Sequence, residues 1–156
     1  MATKLFLILG NQLFDPIILK EVGCNRVFMA EDFGLCTYEK HHKLKLYLFL
    51  TAMREYCKEL ESHGIIVDYF PLESRKKEEN YIQLLLKYLY ESKSLSINIF
   101  EIEDKPFEKI LFQELENSKI NLIVHNSPMF LFTRKTLKNS LGEKKLVRMG
   151  DFYKFA

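Results

Sequence analysis

Short, unbroken apolar runs alternate along this chain with stretches in which apolar residues return every three or four positions. The first run, within Lys4 to Gly10, is Leu5-Phe6-Leu7-Ile8-Leu9, closed by a Gly-Asn turn signal; it reads as a buried strand. Further strands are predicted over Arg26 to Glu31, Ile65 to Leu72, Leu95 to Ile102 and Asn121 to Asn126. Between the second and third strands the period changes. From about His41 to His63, Leu46, Phe49/Leu50, Met53, Tyr56/Cys57 and Leu60 mark the inner face of one long helix, and Gly64 stands where a helix end favours positive φ. A helix is predicted over Asn80 to Ser92, and another begins at Asp104-Lys105-Pro106, where Asp can cap and Pro suits the first turn. Beyond the fifth strand the chain is polar, basic and weakly helical.

Strands that are apolar on both faces, separated by helices, predict a Rossmann-like, doubly wound α/β fold. Its core is a five-stranded parallel sheet of order 3-2-1-4-5 with helices on both faces. Such sheets bind ligands beyond the carboxyl ends of their strands, where the strand order reverses. The candidate site is therefore built from Gly10-Asn11-Gln12, from Glu31 onward and from Glu101 onward.

The candidate chemistry is sparse. Neither G-x-G-x-x-G nor a P-loop occurs, and Ser, His and Asp take no recognised catalytic spacing. Asn11 fits a turn or cap as well as a ligand contact. His41 and His42 are adjacent, about 100° apart on a helix, whereas helical metal pairs sit four residues apart; a ligand-pocket or helix-start role suits them better. The basic runs Lys40-His41-His42-Lys43-Leu44-Lys45 and Lys144-Lys145-Leu146-Val147-Arg148 suit phosphates or solvated helix faces. Ser74 to Asn80 reads as a solvated charged loop.

Composition narrows the class. At 156 residues, 47% apolar and 28% charged, the chain has the make-up of one globular domain, residues 1–156. A formal charge of +2 gives little pull on nucleic acid. Cys24, Cys36 and Cys57 form an odd, widely spaced set that suits a reducing compartment better than a disulfide framework. The apolar start is too short for a signal peptide and no run is long enough for a membrane span, so the expected location is the cytoplasm. The aromatic end, Asp151 to Ala156, reads as an element cut short.

One set of residues carries a more specific resemblance. Leu7-Ile8-Leu9-Gly10-Asn11-Gln12-Leu13, then Glu31, then Tyr38-Glu39-Lys40-His41-His42-Lys43-Leu44-Lys45, then Leu48-Phe49-Leu50-Thr51-Ala52-Met53-Arg54 are similar to the N-terminal signature of the deoxyribodipyrimidine photolyase-related proteins, in particular their iron–sulfur cryptochrome and photolyase branch. Arg148-Met149 and Phe152-Tyr153-Lys154 resemble a later segment of that family. The chain departs from the pattern at Asn11, where the family usually has Asp, and at Gly150 in place of Glu. Ile102-Glu103-Asp104-Lys105-Pro106 replaces a P-G-E-W-like stretch, and tryptophan is absent.

The resemblance implies an antenna domain, which holds a light-harvesting chromophore of ribityl-lumazine type and is not catalytic alone. FAD, the iron–sulfur cluster and lesion repair would belong to a helical C-terminal domain beyond Ala156. The residues expected to hold the small heteroaromatic ligand are Gly10, Asn11, Gln12, Glu31, Leu35, Tyr38, His41, His42, Lys45 and Glu101, with Phe33 and Leu35 shielding its ring. No metal site and no tight DNA binding are expected of this chain alone. Two alternatives stay open. One is a free-standing nucleotide-binding α/β enzyme, although H-x-G-H and S-G-G-x-D are lacking; the other is a protein-interaction module.

Overall fold

A computed structural model describes residues 4–37, 39–76 and 78–141, together with Gly150 and Tyr153. Two compact units divide the chain, Met1–His125 and Asn126–Ala156.

The first unit is the predicted doubly wound fold. Its strands are β1 (Leu5–Leu7), β2 (Arg26–Ala30), β3 (Ile66–Phe70), β4 (Ser96–Phe100) and β5 (Asn121–His125), all parallel, in the order β3-β2-β1-β4-β5. Phe6 lies opposite Val27 on one side and Asn98 on the other, so β1 is the central strand. Its helices are α1 (Pro16–Glu21), α2 (Phe33–Thr37), α3 (Lys43–Ser62), α4 (Tyr81–Glu91) and α5 (Lys105–Asn117).

The alternation of the pleat sorts the apolar residues into two layers. Leu5 and Leu7 pack with Phe28, Ile97 and Ile99 against Leu85 and Leu89 of α4 and Leu111 and Leu115 of α5. Phe6 and Ile8 point the other way, with Val27 and Met29, onto Leu19 of α1 and Met53, Tyr56 and Leu60 of α3. Burying both faces of a strand needs a continuous apolar run, which is why β1 carries one.

Short polar side chains start the helices. Asp15 accepts from the Ile17 N–H at 2.8 Å, ahead of Pro16, and Asp104 accepts from the Phe107 N–H at 3.1 Å. Asn80 and Gln83 form a reciprocal capping box. The ends repeat one device, a residue at positive φ: Gly23 (75°) after α1, Gly64 (78°) after α3, but Lys93 (53°) after α4 and Lys119 (57°) after α5.

The boundaries shift by one to three residues from those read in sequence; the first strand, read as Lys4 to Gly10, ends at Leu7. The long helix runs from Lys43 to Ser62, with the His42 ring nitrogen accepting from the Leu44 N–H at 3.2 Å as its cap. Leu44, Tyr47 and Leu48 lie exposed on that helix. The helices α1 and α2 have six and five residues, too few for a periodic signal.

In the second unit, α6 covers Arg134–Leu141, and the Thr133 hydroxyl accepts from the Thr136 N–H at 3.0 Å. The basic run Lys144 to Arg148 and the segment around Phe152-Tyr153-Lys154 fall, Tyr153 apart, outside the described residues. Among the described residues no helix is long and apolar enough to cross a membrane.

Candidate functional site

The strand order reverses between β1 and β4, and there the chain leaves an opening. After β1 the chain turns at Gly10-Asn11-Gln12, where the Gln12 N–H donates to the Leu9 carbonyl at 2.8 Å. The Gln12 side chain is fully buried, and its Nε2 donates to the Glu101 carbonyl at 2.9 Å beyond β4. Asn11 Nδ2 reaches Glu103 at 3.3 Å, and the Glu101 N–H donates to the His125 carbonyl at 2.9 Å. These bonds pin the two segments on either side of the switch point at a fixed separation.

A cleft of about 240 Å³ opens at this carboxyl edge. Its walls are mostly apolar: Leu9 after β1, Ala30 at the end of β2, Leu46 and Leu50 of α3, Ile102 after β4 and Phe107 of α5. Phe49 and Met53 of α3 lean over Gly10. A Cβ on Gly10 would lie 2.6 Å from the Phe49 ring and 2.8 Å from the Met53 sulfur, so any larger residue displaces these two side chains. The polar groups are few and come from separate elements: Asn11, Asp32, His41, Lys45, Tyr81 and Asp104. Lys45 Nζ, in the first turn of α3, lies 3.4 Å from Nδ1 of His41, which precedes the helix.

Tyr81 is the unusual member. It is 6% exposed, packs edge-on to Phe107 and Phe28, and its hydroxyl has no hydrogen-bond partner. Burial raises its pKa, with the Asp32 charge adding to the effect, so the hydroxyl keeps its proton at neutral pH. Asp32 is itself held: Arg75, 8% exposed, donates from Nη1 to Asp32 Oδ2 at 2.9 Å and to the Glu31 carbonyl, and from Nη2 to the Glu79 carbonyl at 2.9 Å. The loop read as solvated thus sends its arginine inward, because Glu31 and Asp32 draw it there. Cys36 also lines the cleft, and burial, then the Asp32 and Glu31 charges, push its thiol pKa up, keeping it protonated.

The structure brings Gly10, Asn11, His41 and Lys45 together in the cleft wall. It takes other candidates elsewhere. Glu31 faces a separate buried network: Arg54 donates to it at 2.6 and 3.0 Å, Tyr69 at 2.7 Å and the Leu72 N–H at 2.9 Å. Burial alone would raise the Glu31 pKa, but Arg54, the Leu72 N–H and Tyr69 outweigh it and hold the carboxyl below its usual range. Gln12 and Glu101 bond across the switch point, and His42 serves as a helix cap; none of the three lines the cleft. Phe33 does not line it either, Leu35 lies on α2, and Tyr38 is outside the described residues. Asp32, Tyr81, Asp104 and Phe107 were not foreseen from sequence. The Glu31-Asp32 pair and the Asp104 cap mark the right loops, whereas nothing local marks Tyr81.

Among the described residues no group of three or more His, Cys, Asp or Glu could hold a metal ion. No curated protein matches the chain. The family model described as deoxyribodipyrimidine photo-lyase-related protein matches residues 6–156, which include the whole cleft. The chain therefore belongs to the deoxyribodipyrimidine photolyase-related protein family.

Proposed function

We propose that this domain holds a small heteroaromatic chromophore of ribityl-lumazine type in the cleft beyond the strand ends, as a light-harvesting antenna without catalytic activity of its own. The observation that carries this reading is a mostly apolar cleft at the switch point, with a few polar side chains brought to it from separate elements. Its volume lies just under the ~300–1,000 Å³ of sites that enclose a drug-sized ligand. A fused ring is therefore enclosed while a flexible tail stays outside. Phe49, Met53 and Phe107 would cover the ring faces and exclude water, and Asn11, His41 and Lys45 would meet the tail at the mouth.

When bound, such a chromophore absorbs violet light and passes excitation to a nearby flavin. In this reading the flavin and an iron–sulfur cluster belong to a helical domain of the longer protein, which would also carry DNA repair. This domain alone would not bind DNA tightly, in keeping with its +2 charge. Three thiols without disulfides favour the cytoplasm.

Titrating the purified chain with a ribityl-lumazine, followed by fluorescence anisotropy, tests the reading. Saturable one-to-one binding is expected, with no FAD retained through purification. Absence of binding up to ~100 μM, or preferential binding of an adenine nucleotide, would exclude the antenna role; the figure marks about 5.5 kcal/mol of affinity.

A further inference from the structure

The outward side of α3 departs from the pattern of a surface helix, which turns polar residues to water. Met53, Tyr56 and Leu60 form its buried stripe. At about 100° per residue, Leu44, Tyr47 and Leu48 fall on the opposite side, where they are 63%, 71% and 70% exposed. Spaced three and four apart, they are neighbours and make one patch. Farther along the same side stand Glu55, Lys58 and Ser62, all exposed, the polar face such a helix ordinarily shows. The apolar patch is thus confined to the first two turns. We propose that these two turns dock on an anionic lipid bilayer, with Leu44, Tyr47 and Leu48 entering the headgroup region and the neighbouring lysines meeting lipid charge.

Charge selects the partner. Lys43 and Lys45 stand about 100° to either side of Leu44, and Lys40 lies just ahead of the helix. All three are exposed, none is ion-paired among the described residues, and no acidic residue occurs between Glu39 and Glu55. Together they carry +3 while the whole chain carries +2, so everything else sums to −1. A second copy would set one such patch against another, which like-charge repulsion opposes. Nucleic acid would meet the lysines and leave both leucines in water.

Shape points the same way. Side chains about 70% exposed stand clear of their neighbours, so the patch is a projection without a surrounding wall. A bilayer deforms around a projection, whereas a protein partner needs a matching groove. Leucine at the acyl boundary, tyrosine at headgroup level and lysine on anionic headgroups is the arrangement of helices that lie at a membrane surface. Attachment is peripheral, since no described helix is long and apolar enough to cross. The anionic leaflet faces the cytoplasm, the compartment that the free thiols favour.

The test is cosedimentation of the 156-residue chain with two kinds of vesicle. One is phosphatidylcholine alone; the other adds ~30% phosphatidylglycerol, which gives a negative surface potential. Wild type is expected to bind the anionic vesicles at least tenfold more tightly, and ~0.5 M salt to remove most of that preference by screening. Leu44→Ser/Tyr47→Ser/Leu48→Ser and Lys40→Gln/Lys43→Gln are each expected to weaken binding about tenfold or more; Lys45 is left in place because it also lines the cleft. The lipid and salt comparisons use wild type alone, so they do not depend on how the variants fold. Wild type that ignores the anionic vesicles, or binds both compositions equally, overturns the proposal. So does full binding by the triple serine variant, which would leave the lysines acting alone. A concentration-dependent dimer that the serine variant loses, without vesicle binding, would make a second copy the occupant and overturn it as well. Lumazine titration is a separate measurement, so the antenna reading stands or falls independently.

Discussion

Glu31 offers the sharpest test of how the carboxyl edge is held together. Its side chain is fully buried and accepts from Arg54, Tyr69 and the Leu72 N–H, which joins β2 to α3 and to the loop after β3. Glu31→Ala removes the acceptor and leaves the Tyr69 hydroxyl and the Leu72 N–H with nothing to meet. Breaking a buried ion pair from one side costs about 3–5 kcal/mol. Arg54 is 43% exposed and keeps Glu73 at 3.0 Å, so the lower end applies, about 3 kcal/mol. For a chain of this size that lowers the melting temperature by roughly 10 °C. Glu31→Gln keeps the shape and forfeits only the charge, so about half that loss is expected. The pH dependence adds an independent check. The native carboxyl pKa is lowered, so its stabilisation is present above the unfolded value of about 4.3 and is lost as pH falls through the native value. Thermal unfolding followed by circular dichroism from pH 7 to pH 3 should show wild type and Glu31→Gln converging at the acid end. A Glu31→Ala protein within about 0.5 kcal/mol of wild type at pH 7, the spread of ordinary surface substitutions, would refute the reasoning. So would a wild-type advantage over Glu31→Gln that persists unchanged at pH 3.

Three further outcomes are expected. Gly10→Ala should push the Phe49 ring and Met53 sulfur out of their places, costing about 1–3 kcal/mol by denaturant unfolding and weakening lumazine binding; an unchanged affinity would separate this contact from the cleft's function. Lys93→Gly and Lys119→Gly should each stabilise the fold by about 0.5–1 kcal/mol, the relief of positive φ less the added freedom of the unfolded chain, with the two gains adding in the double variant. His125 should titrate below the ordinary ~6.5 in an NMR pH series, since burial first and Lys4 second disfavour its cation; its contribution to stability is then present above that value and fades as pH falls through the native one.

The covalent order of apolar and polar residues settled the layers of this fold. The run from Leu5 called for a strand covered on both faces, and Leu5 to Ile8 are all buried, with β1 itself spanning Leu5–Leu7. The three-four spacing from Leu46 to Leu60 required a helix with one inward stripe, and Met53, Tyr56 and Leu60 do face the core. Capping chemistry at Asn80 and Asp104 is local as well, decided within three residues. The family signature was legible for a related reason, since its residues lie in contiguous runs. The short helices α1 and α2 left no trace in the pattern, being under two turns long.

Only the tertiary structure decided which side chains meet at the strand ends. Glu31 and Asp32 are neighbours in sequence with the same charge, yet one is sealed against Arg54 and Tyr69 while the other lines the cleft beside Tyr81. Successive residues leaving a strand point in different directions, and which carboxylate finds a cation depends on where Arg54 and Arg75 arrive, 23 and 43 residues later. Tyr81 shows the same limit. In sequence it is one aromatic residue at the start of an amphipathic helix, indistinguishable from those that merely pack. The fold through α4 brings it to the cleft, with its hydroxyl sealed inside and paired with no protein group. Periodicity fixes which face of an element is buried; the polar atoms that end up facing one another depend on long-range packing that no local pattern encodes.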